Sequence, residues 1–215
     1  MRVSETFFSI QGEGVNWGLP MNFVRLQGCN RKCLWCDTEQ SQDPDGGREM
    51  SVDEILKELV SKRGGGVCWW YCITGGEPLM QNLLPLVEAI KGKGLFKTGN
   101  KVEIETNGTL PPPPWFSMVN TWVVDNKCPS SGVESVAFDH WLTWLRSCDQ
   151  VKFVVKDRND LDFVDSETRK QCLWSNVLIS PVFPLNGGFL DEVVEFVESR
   201  NLRLSIQNHK LIGVP

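Results

Sequence analysis

The chain alternates short apolar runs with stretches of helical or loop character, and this alternation limits the folds open to it. Apolar runs of strand length lie at 23–26, 67–73, 102–106, 120–125, 151–155, 176–180 and 202–206. Strands that alternate with helices form parallel sheets, because each helix crosses back over the sheet before the next strand begins. The sequence therefore predicts an α/β fold with a mostly parallel sheet.

One helix is marked by both a cap and a periodic apolar face. Ser51 and Glu54 have the S-x-x-E spacing of a capping box, in which side chain and backbone satisfy each other's free groups. Apolar side chains within 52–60 then share one face. A helix is therefore predicted over 51–63, and the three glycines at 64–66 end it.

Further helical stretches are expected at 81–93, 134–147 and 189–200. Pro85 must lie near the first turn of the first of these, since it lacks the N–H that later turns need. The four prolines at 111–114 exclude a regular helix or a central strand there. Because the chain has neither an internal repeat nor a linker, one domain is expected over residues 1–215.

The net charge of −5 argues against broad binding to nucleic acid, which needs a cationic surface to displace phosphate counterions. It still permits a small anionic ligand held by a few local cations. No run approaches the roughly 18 apolar residues of a membrane helix, and Glu5 interrupts the apolar core of any signal peptide. We therefore expect a cytoplasmic protein that binds neither membranes nor nucleic acid.

The cysteines are distributed unevenly. Cys29, Cys33 and Cys36 lie in one short segment, and the others are Cys68, Cys72, Cys128, Cys148 and Cys172. A tight group in a chain too large to need disulfide staples indicates a metal site. We expect the five scattered cysteines to be buried small side chains, with Cys68 and Cys72 on one face of a strand.

Motifs with chemical potential follow the apolar runs. The cysteine triplet follows 23–27, TGGEP follows 67–73, ETNGT ends 102–106, and DNKCPSSG follows 120–124. The carboxyl ends of parallel strands meet at one edge of a sheet, where ligands bind. These motifs are therefore predicted to form a single site.

The triplet has C-x3-C-x2-C spacing. Three thiolates on one loop can each ligate one iron of a 4Fe–4S cube, and the fourth iron can then chelate S-adenosylmethionine (SAM). One electron from the cluster cleaves SAM to a 5′-deoxyadenosyl radical. Spacing alone leaves two alternatives open, structural zinc with a fourth ligand from elsewhere and unligated core thiols. Trp35 and TGGEP favour the radical SAM interpretation, because a zinc site uses neither.

TGGEP places adjacent glycines at the end of a strand. Gly75 and Gly76 allow the backbone to approach a ligand closely, so that it can bind the SAM amino group while Glu77 supports the turn. GGEP alone is often only a turn. Its position some 40 residues after the triplet, behind an apolar run, makes it informative.

Together these motifs resemble those of the radical SAM superfamily and, more narrowly, the 7-carboxy-7-deazaguanine synthase family. The resemblance covers nearly the whole chain, in SIQGEG at 9–14, FVRLQGCN before the triplet, CDT after it, TGGEP, ETNGT at 105–109, KCPSSG at 127–132, KFVV at 152–155 and SIQNHK at 205–210. It implies a reduced, TIM-like radical SAM barrel and a homodimer. It also implies a 4Fe–4S cluster, SAM used catalytically, Mg²⁺ and a flavodoxin-like reductant.

The implied reaction converts 6-carboxy-5,6,7,8-tetrahydropterin to 7-carboxy-7-deazaguanine with loss of ammonia, in queuosine and related 7-deazapurine biosynthesis. No catalytic side chain is implied beyond the cofactor-held radical. Cys29, Cys33 and Cys36 match the cluster ligands, and Thr38 matches the Mg²⁺ ligand, for which a hydroxyl oxygen is suitable. Contacts to SAM are implied for Gly76, Asp125, Asn126 (through its backbone), Lys127, Ser180, Pro181, Val182 and Phe183.

Contacts to the pterin are implied for Ile10, Gln11, Gly12, Arg25, Thr74 and Pro215. Arg25 offers a fork for the pterin carboxylate, although without the resemblance it is an ordinary strand charge. The carboxylate of Pro215 is expected to accept hydrogen bonds from the guanidine-like edge of the pterin. His209 and Lys210 either position this tail or are exposed strand residues.

Two other functions stay open. A glycyl-radical-enzyme activase shares the cysteine spacing, but SIQGEG and the terminal Q-x-H-K disfavour it. A non-enzymatic iron–sulfur or zinc protein leaves GGEP, ETNGT and Q-x-H-K unexplained. His140, in a helical stretch, is expected to be packed or capping.

Overall fold

A computed structural model describes residues 1–63, 68–92, 99–134, 139–171 and 176–215. The strands of these residues form one sheet, and they are β1 Arg2–Ile10, β2 Pro20–Leu26, β3 Arg48–Glu49, β4 Trp70–Gly75, β5 Lys101–Thr106, β6 Thr121–Lys127, β7 Gln150–Val155, β8 Asn176–Pro181 and β9 Arg203–Leu204. Their order in the sheet is β3-β1-β2-β4-β5-β6-β7-β8-β9. All neighbours from β2 to β9 are parallel, whereas β1 is antiparallel to β2 and β3. The sheet is open at β3 and β9, as in a reduced barrel.

The described helices are α1 Val52–Lys62, α2 Leu84–Gly92, α3 Asp139–Leu142, α4 Arg158–Gln171, α5 Gly187–Arg200 and α6 Asn208–Ile212. None of them has the length and apolar character of a membrane-spanning helix. α2, α4 and α5 each follow a strand of the parallel part of the sheet, and α1 connects β3 to β4, so the predicted α/β class is confirmed.

The two faces of the sheet differ in chemistry, because side chains alternate along each strand. On β5, Val102 and Ile104 are fully buried in the main apolar core, which also contains side chains of α1, α2, α4 and α5. Glu103 and Glu105 point to the opposite face and hydrogen-bond to Gln11. One face therefore packs against helices, while the other is the polar interior of the partial barrel.

Each apolar run identified in the sequence overlaps a strand of the sheet, but four elements were not predicted, namely β1, β3, α4 and α6. β1 and α4 show the reason. β1 obtains its pairing from β2 in the register Phe7↔Phe23, and these two rings stack with centroids 4.7 Å apart. α4 is mostly polar, and its buried face rests on few side chains, among them Leu161 and Val164. In both cases tertiary contacts supply the stability that a local pattern does not reveal.

The predicted helices are confirmed in part. α1 and α5 agree with the expected 51–63 and 189–200 to within two residues, whereas α2 begins at Leu84 rather than at 81. α1 has the capping box, with Ser51 Oγ accepting from Glu54 N and the Glu54 carboxylate accepting from Ser51 N. Pro85 is the second residue of α2. Residues 64–67, 93 and 135–138 lie outside the described residues, so the expected glycine stop and parts of two helices do too. In the described part of 134–147, only α3 is helical, and 111–114 is irregular, as expected.

The scattered cysteines divide into three groups. Cys68, Cys72 and Cys128 are buried as expected, although Cys68 precedes β4 rather than lying on it. The expectation for Cys148 was wrong, because this residue lies in an exposed turn before β7. Cys172 is outside the described residues.

Asp149 supports two elements from a fully buried position. Its carboxylate accepts from Trp122 N at 2.9 Å and forms a salt bridge with Arg146 at 2.8 Å.

Asp149→Ala leaves a buried strand N–H and a guanidinium without this acceptor, so we expect the free energy of unfolding to fall by about 2–3 kcal/mol. Anaerobic urea unfolding measures it. Asp162→Ala is the control, since Asp162 and Arg158 are both largely exposed and their pair contributes little. Equal losses in the two variants would contradict the role of Asp149.

Candidate active site

A cavity of about 290 Å³ opens at the carboxyl edge of the parallel strands. All of the residues predicted for the site line it, except Asn126, Ser180 and Pro181. The strand topology thus brings together segments that are distant in sequence, from the SIQGEG motif to the last residue, Pro215.

The three exceptions are buried residues of the sheet. Asn126 lies on β6 and Ser180 on β8. Asn126 lines a small crevice beside the cavity instead, while its neighbours Asp125 and Lys127 line the cavity itself. Pro181 is buried at the end of β8, and Val182 and Phe183, which follow it, reach the cavity.

The cysteine loop is anchored by backbone hydrogen bonds. Cys29 N donates to Gln42 O at 3.1 Å, and Leu34 N donates to Ser131 O at 2.9 Å. Cys29, Cys33 and Cys36 are free thiols, partly exposed and directed to the cavity. Burial raises the pKa of both Cys29 and Cys33, so ligation to iron must displace these protons.

The spacing of the three sulfurs tests the zinc alternative. Zinc–sulfur bonds of about 2.3 Å in a tetrahedron hold sulfurs about 4 Å apart. Among the described residues, the metal-binding side chains whose ligand atoms lie within 4.8 Å of one another are Cys72, Glu103 and Glu105, and the triplet is not among them. The three sulfurs of the triplet therefore do not all lie within zinc-ligand spacing of one another in this structure.

The glycines of TGGEP permit close contact between backbones. Gly75 has φ 134°, and a Cβ on Gly76 would overlap the carbonyl oxygens of Gly28 and Ser41. Gly76 N donates to Leu26 O at 3.1 Å, and Glu77 N donates to Gly28 O at 2.8 Å. The turn therefore packs directly against the chain that leads into the cysteine loop.

Glu77 connects TGGEP to ETNGT. Its buried carboxylate accepts from Thr106 Oγ1 and Asn107 N, both at 2.7 Å, and from Leu79 N at 3.0 Å. Burial raises the pKa of Glu77, and these donors partly oppose that effect. Asn107 in turn places its amide nitrogen 3.9 Å from Cys29 Sγ. One buried carboxylate therefore holds the ends of two strands together beside the cysteine loop.

An alternating line of charges crosses the cavity. Lys152 Nζ lies 3.0 Å from a Glu13 oxygen and 3.3 Å from an Asp125 oxygen, and Lys127 Nζ lies 2.8 Å from the other Asp125 oxygen. Burial alone would lower the pKa of Lys152, but Asp125 and Glu13 raise it well above its usual value. Both lysines stay cationic, because each is paired where it is buried.

A second carboxylate pair lies deeper in the barrel. Gln11 Nε2 donates to Glu103 and to Glu105, Asn16 Nδ2 donates to Glu103, and Thr74 Oγ1 donates to Glu105 at 2.9 Å. Burial and the neighbouring Glu105 raise the pKa of Glu103 to about 7. These carboxylates already accept from protein donors, so they hold Gln11 and Thr74 in place at the cavity wall.

Arg25 lies at the cavity wall as a partly buried cation. Its Nε donates to Glu5 at 2.8 Å, and its guanidinium lies 5.5 Å from the centroid of Phe7. Its side chain is only 18% exposed, so the ordinary reading of a solvated strand charge does not describe it.

The C-terminal segment 207–215 covers one side of the cavity. Asn208 N donates to Gly12 O at 3.0 Å, Lys210 Nζ donates to Asp37 at 2.6 Å, and Ser9 Oγ donates to a Pro215 oxygen at 2.7 Å. The two donors Lys210 and Gln207 hold the pKa of Asp37 at about 2, against the opposing effect of burial. His209 and Lys210 belong to α6, so the alternative that they are exposed strand residues is wrong.

Sequence reasoning missed several side chains that complete the site. They are Glu13, Asp37, Glu105, Lys152 and Gln207, which line the cavity, and Asp160, which lies outside it and accepts from Ser130 Oγ. Glu13 and Gln207 lie inside recognised motifs, and Asp37 follows the triplet. The sequence motifs could therefore have identified these three residues as part of the site. Glu105 and Lys152 also lie in recognised motifs, ETNGT and KFVV, whereas Asp160 had no local signal, because only α4 brings it to this edge.

Comparisons with known proteins agree with this geometry. The Radical SAM superfamily pattern matches residues 23–118. A 7-carboxy-7-deazaguanine synthase of Methanospirillum hungatei is 38% identical over 217 residues, covering 100% of this chain and 86% of that protein. One from Koribacter versatilis is 38% identical over 237 residues, covering 100% and 98%.

A solved structure, QueE from Escherichia coli, superimposes with a TM-score of 0.71 at 26% identity, covering 97% of this chain and 94% of that one. Fold, site and full-length similarity agree. The chain belongs to the 7-carboxy-7-deazaguanine synthase family of the radical SAM superfamily.

Proposed function

We propose that this protein is a 7-carboxy-7-deazaguanine synthase, which contracts the ring of 6-carboxy-5,6,7,8-tetrahydropterin with loss of ammonia. The observation that carries the proposal is a single cavity lined by the cysteine triplet, the glycine turn, Arg25 and the terminal residue. An electron-transfer protein has no need of such a cavity next to its cluster. Membership of the family supports the same activity.

In this proposal Cys29, Cys33 and Cys36 each hold one iron of a 4Fe–4S cluster and leave one iron open to SAM. When bound, the cluster and SAM supply a radical that abstracts a hydrogen atom from the substrate. The Gly76 backbone, Asp125, Lys127, Val182 and Phe183 form the SAM side of the cavity, and Asn126, Ser180 and Pro181 support it from buried strand positions. Lys127 stays charged beside Asp125 and can balance the carboxylate of a bound ligand.

The pterin lies in this proposal between the cysteine loop and the C-terminal segment. Arg25 pairs with its carboxylate, since a guanidinium matches that group with two parallel donors. Pro215, whose oxygen accepts from Ser9 Oγ on β1, lies beside the guanidine-like edge. Ile10, Gln11, Gly12 and Thr74 define the remaining wall.

Thr38 is proposed as a ligand of Mg²⁺. Thr38 lines the cavity, and its hydroxyl oxygen lies 3.7 Å from Cys36 Sγ. Mg²⁺ keeps several waters and takes few protein ligands, so one hydroxyl with substrate oxygens fits its needs.

The proposal extends to the organisation of the enzyme. We propose that residues 1–215 form one domain, which one sheet and one main core support. A homodimer, a flavodoxin-like reductant and a cytoplasmic location are proposed with it, the last because a cluster with an open iron needs reducing conditions.

The test is anaerobic turnover by the iron-reconstituted protein with SAM, a reductant, Mg²⁺ and the carboxylated tetrahydropterin. We expect 7-carboxy-7-deazaguanine in excess of the SAM consumed. Slow 5′-deoxyadenosine without deazaguanine would contradict the substrate and favour the activase. Neither product from protein with an intact cluster would contradict the enzyme itself.

Cys33→Ala removes one of the three cluster ligands. We expect loss of most iron and sulfide and no 5′-deoxyadenosine, because a cube held by two thiolates does not persist. Iron and acid-labile sulfide analysis with product chromatography measures both. Cys148→Ala is the matched control, since this cysteine is exposed and outside the cavity. Retained SAM cleavage in Cys33→Ala would refute the ligand assignment.

Thr38→Ala should keep the cluster but weaken the response to Mg²⁺ by about tenfold, because one of few protein ligands is lost. Activity is titrated with Mg²⁺ after chelation. Thr38→Ser retains the hydroxyl and should respond as the parent does. An unchanged Mg²⁺ titration in Thr38→Ala would count against this ligand.

Lys210→Met breaks the pair that fastens the C-terminal segment to Asp37. We expect about a fivefold rise in KM for the pterin, the size of a partly exposed charged hydrogen bond. Formation of 5′-deoxyadenosine without pterin should not change. Lys57→Met, on the exposed side of α1, is the control. If both variants keep the parental KM, the segment does not act through Lys210.

A further inference from the structure

The KCPSSG motif contains a serine whose contacts no role above explains. Ser130 lies in the short turn Pro129–Ser131 after β6, closed by Gly132 in a left-handed conformation. Ser130 Oγ donates to Asp160 Oδ2 at 2.5 Å and accepts from Trp35 Nε1 at 3.1 Å. One hydroxyl therefore joins the cysteine loop to the start of α4.

The direction of these hydrogen bonds is fixed by the chemistry of the three groups. An indole N–H can only donate, and an ionised carboxylate can only accept. The single hydroxyl proton of Ser130 must point to Asp160, which leaves a lone pair for Trp35. The hydrogen bonds from Trp35 to Ser130 and from Ser130 to Asp160 therefore have only one arrangement. This arrangement restrains the rotation of the indole about its long axis.

The position of Asp160 is fixed by burial and by several hydrogen bonds. It is fully buried, and its carboxylate also accepts from Ser130 N at 2.9 Å and from Lys156 N at 2.7 Å. It is the third residue of α4, where a carboxylate is favoured by the helix dipole. Charge-assisted bonds in a buried position hold Ser130 more firmly than a neutral acceptor would.

Trp35 is placed where its orientation matters. It stands between Cys33 and Cys36, it lines the cavity, and Lys127 Nζ lies 5.6 Å from its ring centroid. A second restraint acts on the same loop, because Leu34 N donates to Ser131 O and its side chain packs on Gly132. The 129–132 turn thus holds both residues that separate Cys33 from Cys36.

We infer that Asp160 and Ser130 are positioning residues that act through the Trp35 indole to set how tightly the site holds SAM. This rests on the proposed function only in that the cavity binds SAM. The indole offers a flat, rigid face to a planar part of the ligand, and a face free to rotate would lose part of that contact. Neither Asp160 nor Ser130 lines the cavity, so their effect must pass through Trp35.

The test is a double-mutant cycle on cluster-loaded protein. SAM is titrated anaerobically without pterin, with the change in the EPR spectrum of the reduced cluster as the signal. Ser130→Ala should raise the Kd for SAM by about 5–10-fold, the size of one hydrogen bond. In the Trp35→Phe background the ring remains but the N–H donor is absent, so Ser130→Ala should change the Kd by less than twofold.

Asp160→Asn provides a second variant. Its amide nitrogen faces either Ser130 N or both Ser130 Oγ and Lys156 N, where a carboxylate oxygen now accepts. The variant should therefore also raise the Kd, again only when Trp35 is present. Ser61→Ala, which removes a hydroxyl from exposed α1, is the matched control and should leave SAM affinity unchanged. Iron content and Tm are measured for each variant.

Equal effects of Ser130→Ala in the Trp35 and Trp35→Phe backgrounds would overturn the inference, as would unchanged SAM affinity. A raised KM for the pterin with parental SAM affinity would also contradict it. SAM binding without deazaguanine formation would contradict the proposed substrate, but the double-mutant cycle on SAM affinity would still test the inference. Absence of SAM binding by the parent with an intact cluster would overturn both.

Discussion

The backbone contact between the Gly75–Glu77 turn and the chain before the cysteine loop is the constraint on which the site depends. Gly76 has no space for a Cβ, because carbonyl oxygens of Gly28 and Ser41 occupy it. The turn can then donate hydrogen bonds to the carbonyl oxygens of Leu26 and Gly28, and β2 is brought beside β4. The glycines that the sequence suggested for ligand approach therefore serve first to bring two strand ends together.

Buried charge in the site is tolerated because it is paired or fully hydrogen-bonded. Lys152 stands between Glu13 and Asp125, and Glu77 accepts from three donors. An isolated charge in such surroundings would be neutralised instead. Glu103 shows this tendency, since burial beside Glu105 raises its pKa to about 7. The site thus combines a fixed charge pattern near the cysteine loop with a protonatable carboxyl deeper in the barrel.

Three structural segments fasten the cysteine loop and the cavity from different directions. The ETNGT end of β5 reaches it through Glu77 and Asn107, the turn after β6 reaches it through Ser130, and the C-terminal segment reaches it through Asp37. Each fastening joins residues far apart in sequence. A loop with three ligand cysteines can therefore keep a defined shape although it has little regular secondary structure of its own.

The sequence by itself determined the α/β class, the central parallel strands, the capped helix α1 and the membership of the triplet and TGGEP in one site. These follow from local periodicity, from a capping box and from the rule that carboxyl ends of parallel strands share an edge. Only the tertiary structure decided the pairing of β1, the exposure of Cys148, and the roles of Lys152 and Asp160 as partners of residues in other segments. Such features depend on which strands and helices become neighbours, and that is set by packing across the whole chain rather than by any local pattern.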